Sequence, residues 1–207
     1  MAILIGIAGG SGSGKTTLAR ALAQALEPSA LIIAEDDYYR CATTIPGFDA
    51  SRHDFDALDA KDMPRLAADL RALKDGKTVE KPLYDYVTHT RKPVGETISP
   101  APFMIAEGIL ALADPEVREA YDLAVWIDTP GDVRLLRRIR RDIVERGRSL
   151  DSVLHQYERT VRPSHLRHEK PQSATADLVL DAEGLNHDLD AMVARVLLAL
   201  SHLPEHA

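Results

Sequence analysis

An α/β fold, a mostly parallel sheet with helices on both faces, is the class this sequence predicts, and three observations carry it. Short apolar runs of strand length, ILIGIA, ALIIA, FMIA, LAVWID and ADLVL, recur along the chain and are separated by stretches of helical spacing. The runs are apolar at nearly every position, as strands covered on both faces must be. Residues 9–16, GGSGSGKT, join the first run to the first helical stretch with the spacing G-x-x-x-x-G-K-[ST].

Bulk properties set limits. A length of 207 residues predicts one domain spanning 1–207. The net charge of −7 disfavours nucleic acid and anionic membranes as partners, and leaves small anions to be met by local clusters of basic residues. A single cysteine, Cys41, excludes internal disulfides and cysteine-based zinc sites and fits a reducing compartment. No apolar run approaches the roughly 20 residues that span a bilayer. The opening MAILIGIA lacks a basic leader and reads as a buried strand, so the expected location is cytoplasmic.

Taken in order, the first strand feeds a glycine-rich loop, and a helix is expected from about Lys15 to Ala25. Gly9, Gly10, Ser11, Gly12, Ser13 and Gly14 allow consecutive backbone N–H groups to face phosphate oxygens, and Lys15, Thr16 and Thr17 open the helix. Lys15 supplies a charge for the β and γ phosphates of ATP or GTP, Thr16 a hydroxyl for Mg²⁺, and the helix N-terminus a partial positive charge. Such a loop can serve a switch, a motor or a phosphoryl transferase. The second strand ends in AEDDYYR, which puts Asp36 at the ligand-binding edge of the sheet, placed to orient a hydroxyl or meet the metal; Glu35 and Asp37 are its rivals.

MPRLAADLRALKDG follows, a structural helix with Leu66, Leu70 and Leu73 on one face and Gly76 as its stop. Residues 78–99 break the pattern. Their prolines and a Lys-Pro-Val-Gly turn predict an antiparallel hairpin outside the main sheet, suited to cover a pocket. IAEG brings Glu107 off the next strand toward the same edge, as a further metal ligand. WIDTPGD at 126–132 contains the Asp-Thr-Pro-Gly found in GTP-dependent switches. The companion guanine-selecting Asn/Thr-Lys-x-Asp is missing, however: the single asparagine, Asn186, precedes His187, and no Thr-Lys occurs.

Between 134 and 148 stand Arg134, Arg137, Arg138, Arg140, Arg141, Arg146 and Arg148. Helical spacing aligns Arg134, Arg138 and Arg141, and Gly147 breaks the run. Beside a phosphate loop, residues 137–150 read as an arginine lid that neutralises transferring charge. The tail after Asn186 reads as an amphipathic helix ending near Leu203.

The ordered set GGSGSGKTT, DDYYR, FDALDAKD, GKTVEKPLYDYVTHTR, EGIL, RRIRRDIVERGRS, QYERTVRPSH and ADLVL, across residues 3–181, resembles the uridine kinase family of the phosphoribulokinase/uridine kinase superfamily. The resemblance implies transfer of the γ-phosphoryl of ATP or GTP to the 5′-hydroxyl of uridine or cytidine, with Mg²⁺, in a homotetramer. It implies Asp36 as catalytic acid-base with Lys15, Arg138 and Arg141, and Tyr39, Phe55 and Asp56 around sugar and base. Tyr84 and His89 would read the pyrimidine, and Arg138, Arg146, Arg148 and Gln156 would complete the acceptor site. The family usually has His-Pro where this chain has Ala57-Leu58, and RHDFD permits a second register with Asp54 as the sugar ligand. Asp56 keeps the downstream motifs in step. A related kinase of a phosphorylated sugar or pantothenate-like alcohol is the alternative, and the substrate's anion would then need Arg52 or Lys61.

Overall fold

The computed structural model describes residues 2–26, 30–50, 52–182 and 188–204; Asn186 lies outside them. Its main sheet has five strands, all parallel, in the order β2 (Ala30–Ala34), β7 (Phe103–Gly108), β1 (Ile3–Gly9), β8 (Leu123–Asp128), β9 (Leu178–Asp181). Alternate side chains leave opposite faces of a strand, so an apolar run such as ILIGIA serves two cores. Leu4 and Ala8 pack with Met104, Trp126 and helix α2 (Met63–Lys74). Ile5 and Ile7 pack with α1 (Lys15–Ala25) and α7 (Leu189–Ser201).

The three leucines of α2 are fully buried, each contributing about 1.5–3 kcal/mol of burial free energy. The helix begins where the Asp62 carboxylate accepts from the Arg65 N–H, and ends at Gly76, whose φ of 80° lets it and Lys77 donate to the carbonyls of Leu73 and Ala72. The tail helix spans Leu189–Ser201, close to its expected end.

The 78–99 segment is antiparallel, but in two nested ladders. β3 (Val79–Lys81) pairs with β6 (Glu96–Ile98), and β4 (Tyr84–Asp85) with β5 (Thr90–Arg91). The chain reverses at 86–89, and not at Lys-Pro-Val-Gly. The Asp85 carboxylate accepts from the N–H groups of Val87 and Thr88, which builds the turn there. Pro93 has no N–H to offer a ladder, and residues 92–95 join β5 to β6, with the Lys92 N–H donating across the hairpin to the Leu83 carbonyl.

After α3 (Pro115–Glu119), β8 leads into α4 (Gly131–Val144). The first half of the expected lid is therefore the end of a regular helix. Beyond Gly147 the chain continues through α5 (Leu150–Gln156), a run of wide π-type turns around α6 (Arg162–Ser164), and a 3₁₀ segment leading to β9. Because the strands are parallel, their carboxyl ends are level: Ala8 stands opposite Gly108, Ala34 opposite Glu107, and Gly9 opposite Ile127.

Candidate active site

At that edge the glycine loop wraps the start of α1. Ser13 N–H donates to the Gly10 carbonyl, and Gly12 and Gly14 take left-handed φ values of 82° and 98°. At Gly12 a Cβ would lie 2.4 Å from the Arg134 carbonyl oxygen, so both conformation and space demand glycine. The β8–α4 turn braces the loop: Thr129 donates to the Ser13 carbonyl and Arg134 Nε to the Thr129 carbonyl. Arg134 thus belongs to the loop's support. The Asp-Thr-Pro-Gly of the sequence serves as this brace.

Lys15 is buried, its Nζ donating to the Gly10 carbonyl at 3.1 Å. Burial pulls its ammonium below the ordinary lysine value, and Glu107, Glu169, Asp36 and Glu35 act against that. Thr16 Oγ1 donates to Glu107 Oε1 at 2.9 Å, which brings two hard oxygen donors together beside the loop. Burial raises the Glu107 carboxyl, with Lys15 and Thr16 opposing. A hydroxyl and a carboxylate beside a phosphate loop suit Mg²⁺, which takes few protein ligands and keeps phosphate and water oxygens.

Three acids follow β2, and the structure separates them. Glu35 is fully buried against Lys61 Nζ at 2.7 Å, and Asp37 is paired with Lys81 of β3. The Asp36 side chain is 49% exposed, with Oδ1 held by Lys61 Nζ at 2.5 Å. Burial among protein atoms would raise the Asp36 carboxyl; Lys61, then Lys15 and Arg146, outweigh it and hold it below the ordinary aspartate value. Glu35 fits at all because residue 108 is glycine: a Cβ there would sit 1.9 Å from Glu35 Oε2.

The hairpin and residues 48, 53 and 55 bring a set of aromatic rings together. Tyr39 lies 5.1 Å from Tyr84 and 5.8 Å from Phe55, and Phe55 stacks on His89 at 4.9 Å and 30°. Phe48 and His53 join the set, 5.8 Å from His89 and 4.7 Å from Phe55 respectively. The sequence reading missed both, since an aperiodic Pro-Gly loop carries no pattern to mark them. His89, at φ 55°, has a buried Nδ1 with no hydrogen-bond partner among the described residues.

Asp54 and Asp56 differ in their surroundings. The Asp54 carboxylate accepts from Ser164 Oγ and from the Asp56 N–H. Among the described residues no hydrogen bond reaches the Asp56 carboxylate. Burial, then the nearby Glu169, push the Asp56 carboxyl up to about 7, against Arg138 and Lys61.

Four lid arginines converge on one carboxylate. Asp142, fully buried, is approached by Arg141 at 2.9 Å, Arg146 at 3.3 Å, Arg148 at 3.4 Å and Arg138 at 3.7 Å. Arg138 also bonds Ser11 Oγ at 2.7 Å, tying α4 to the glycine loop. Gln156 Oε1 accepts from Arg138 at 2.9 Å and Arg148 at 2.6 Å, so its amide oxygen positions arginines. Nothing in the sequence marked Asp142, because one acid in an arginine-rich helix reads as a surface partner.

Comparison with known proteins places the chain. The family model described as Phosphoribulokinase / Uridine kinase matches residues 4–187. The chain is 44% identical over 196 residues, 94% of each chain, to a uridine kinase of Alkaliphilus metalliredigens. It is 42% identical over 204 residues, 98% of each, to a uridine kinase of Chloroflexus aurantiacus. The phosphoribulokinase structure from Rhodobacter spheroides superposes with a TM-score of 0.64 at 14% identity, covering 87% of this chain and 70% of that one. With the loop, the acidic edge and the arginine segment meeting as described, the chain belongs to the phosphoribulokinase/uridine kinase family.

Proposed function

We propose that this protein is a nucleoside kinase that transfers the γ-phosphoryl group of ATP or GTP to the 5′-hydroxyl of uridine or cytidine. One observation carries the reading. Asp36, the half-exposed acid of its cluster, feels the charge of Lys15 on one side and shares Lys61 with the Tyr39 ring on the other, where an aromatic cluster holds a His89 Nδ1 that is buried and unpartnered among the described residues, and the Asp56 carboxylate is unspent. That arrangement suits a flat heterocycle laid against the rings, a sugar diol on Asp56 and a primary hydroxyl on Asp36. A phosphorylated acceptor fits less well. Lys61, the nearby cation for its anion, is already neutralised by Glu35 and Asp36.

Residues 9–17 hold the triphosphate, with the loop amides and Lys15 on its oxygens. Thr16, Glu107 and Asp36 are the residues that would hold Mg²⁺, which when bound supplies positive charge to the transferring phosphate. Asp36 orients the acceptor hydroxyl and takes its proton as the oxygen attacks. Arg138, Arg141, Arg146 and Arg148 exchange part of their hold on Asp142 for phosphate oxygens, and their closure excludes water. No helix among the described residues is long and apolar enough to cross a membrane. The cytoplasm, with its ATP and reduced thiols, is the setting we propose, and a homotetramer the assembly.

The test is acceptor-dependent ADP formation with uridine, cytidine, adenosine, ribulose 5-phosphate and pantothenate. The expected result is turnover with the two pyrimidine nucleosides, at least about a hundredfold above the others in kcat/KM. Preference for ribulose 5-phosphate or pantothenate would overturn the acceptor assignment.

A further inference from the structure

Lys61 is a fully buried ammonium in a kinase site, and the reaction as described does not use it. It follows the 3₁₀ turn Leu58–Ala60, and its backbone forms a bridge with Tyr39. Its Nζ reaches Asp36 Oδ1 at 2.5 Å and Glu35 Oε1 at 2.7 Å, and lies 4.0 Å from the centroid of the Tyr39 ring. An ammonium has only donors, and out of water it is retained only where anions and a ring face repay its lost hydration. Glu35 in turn is fixed to the sheet edge. Its Oε2 accepts from the Leu110 N–H, and the absence of a side chain at Gly108 makes its space.

The consequence falls on Asp36. It sits in a short 3₁₀ turn, Glu35–Tyr38, and half of its side chain is exposed to solvent, where a lone aspartate would sample several rotamers. We propose that Lys61 is a positioning residue for phosphoryl transfer: by gripping Oδ1 of Asp36 and bracing on Glu35, it fixes the rotamer in which Oδ2 meets the acceptor hydroxyl. The proposal rests on the reading of Asp36 as the group that orients that hydroxyl. In-line displacement is sensitive to placement, and a shift of about 1 Å costs on the order of a hundredfold in rate. Lys61 touches neither substrate in this scheme. Its removal therefore acts on kcat and spares binding.

The experiment is a double-mutant cycle on the full chain with K61M, D36N and D36N/K61M, measuring kcat and both KM values and following folding by thermal denaturation. K61M is expected to lower kcat by about 10- to 100-fold, with the KM for ATP and for uridine within about threefold of wild type when both are measured on the KM plateau above about pH 8, where Asp56 is ionised with or without Lys61 beside it. D36N/K61M is expected to match D36N within about twofold, because Lys61 acts through Asp36. A merely structural lysine would instead lower kcat by the same factor in both backgrounds, and that result overturns the proposal. So does a folded K61M with wild-type kcat. If D36N itself turns over normally, the reading of Asp36 falls and the proposal with it; if D36N is crippled and K61M is not, only the proposal falls. Should K61M fail to fold, E35Q/K61M removes the ammonium together with the buried carboxylate charge opposite, and is compared with E35Q/K61M/D36N under the same criteria.

Discussion

The raised Asp56 carboxyl makes acceptor binding and stability depend on pH in a defined direction. Burial and Glu169 move it from an ordinary 3.8 to about 7, which corresponds to about 4 kcal/mol of penalty on the ionised form. The native carboxyl keeps its proton up to about pH 7, while the unfolded chain releases it near 3.8. Stability therefore falls as pH rises between those values and levels off above them. D56N has no such penalty. Its stability relative to wild type should improve by up to about 4 kcal/mol between pH 4 and pH 8, a relative rise in Tm on the order of 10 °C for a chain of this size. Binding runs the other way. If the sugar diol requires the carboxylate, only about a tenth of the free enzyme is competent at pH 6, and the KM for uridine should rise about tenfold over its plateau above pH 8. The kcat at saturating uridine should change far less. E169Q, lacking the neighbouring negative charge, should move the midpoint below pH 7. Initial rates over pH 5.5–8.5 with varied uridine, together with melting curves of D56N, measure both effects. A flat uridine KM across pH 6–8, or a D56N difference independent of pH, would refute the reasoning.

Replacing Asp142 by Asn leaves four guanidinium groups without their shared anion, and should cost about 3 kcal/mol in a denaturant titration, the lower end for a buried pair because Arg146 is half exposed. The same variant should gain more Tm than wild type on adding ATP, since phosphates take the carboxylate's place; an equal gain would contradict the lid's assignment. Gly12→Ala places a Cβ against the Arg134 carbonyl at a left-handed φ. It should lose about 1–3 kcal/mol of stability and at least about tenfold in ATP affinity by calorimetry. His89→Ala removes the unpartnered ring nitrogen and should raise the KM for uridine about tenfold, one buried hydrogen bond's worth, with the KM for ATP unchanged. If only ATP affinity moved, the pyrimidine pocket would lie elsewhere.

Much of the fold was legible because its signals are local. The helix from Lys15 to Ala25 and the strand Leu123–Asp128 coincide with runs visible in the sequence, because a parallel sheet covered on both faces demands contiguous apolar residues. The hairpin's existence was legible, and its turn was not. Proline and glycine at 92–95 suggested a reversal that an Asp85 side-chain turn places at 86–89. In the candidate site, the glycine loop and Asp36 could be named from spacing and strand ends. The partners that single out Asp36 could not. Lys61 is 25 residues away and reaches it only through the fold, as Ser164 reaches Asp54. Phe48, His53 and Asp142 were invisible for a related reason: their roles come from convergence in space, and sequence periodicity reports only neighbours on one element.

The most direct measurement is a crystal structure of the enzyme with uridine and a non-hydrolysable ATP analogue. The account predicts the 5′-oxygen within about 3.2 Å of the Asp36 carboxylate, in line with the γ-phosphorus, and the pyrimidine against His89 and Tyr84. A 5′-oxygen remote from Asp36, or a nucleoside seated away from the aromatic cluster, would contradict it.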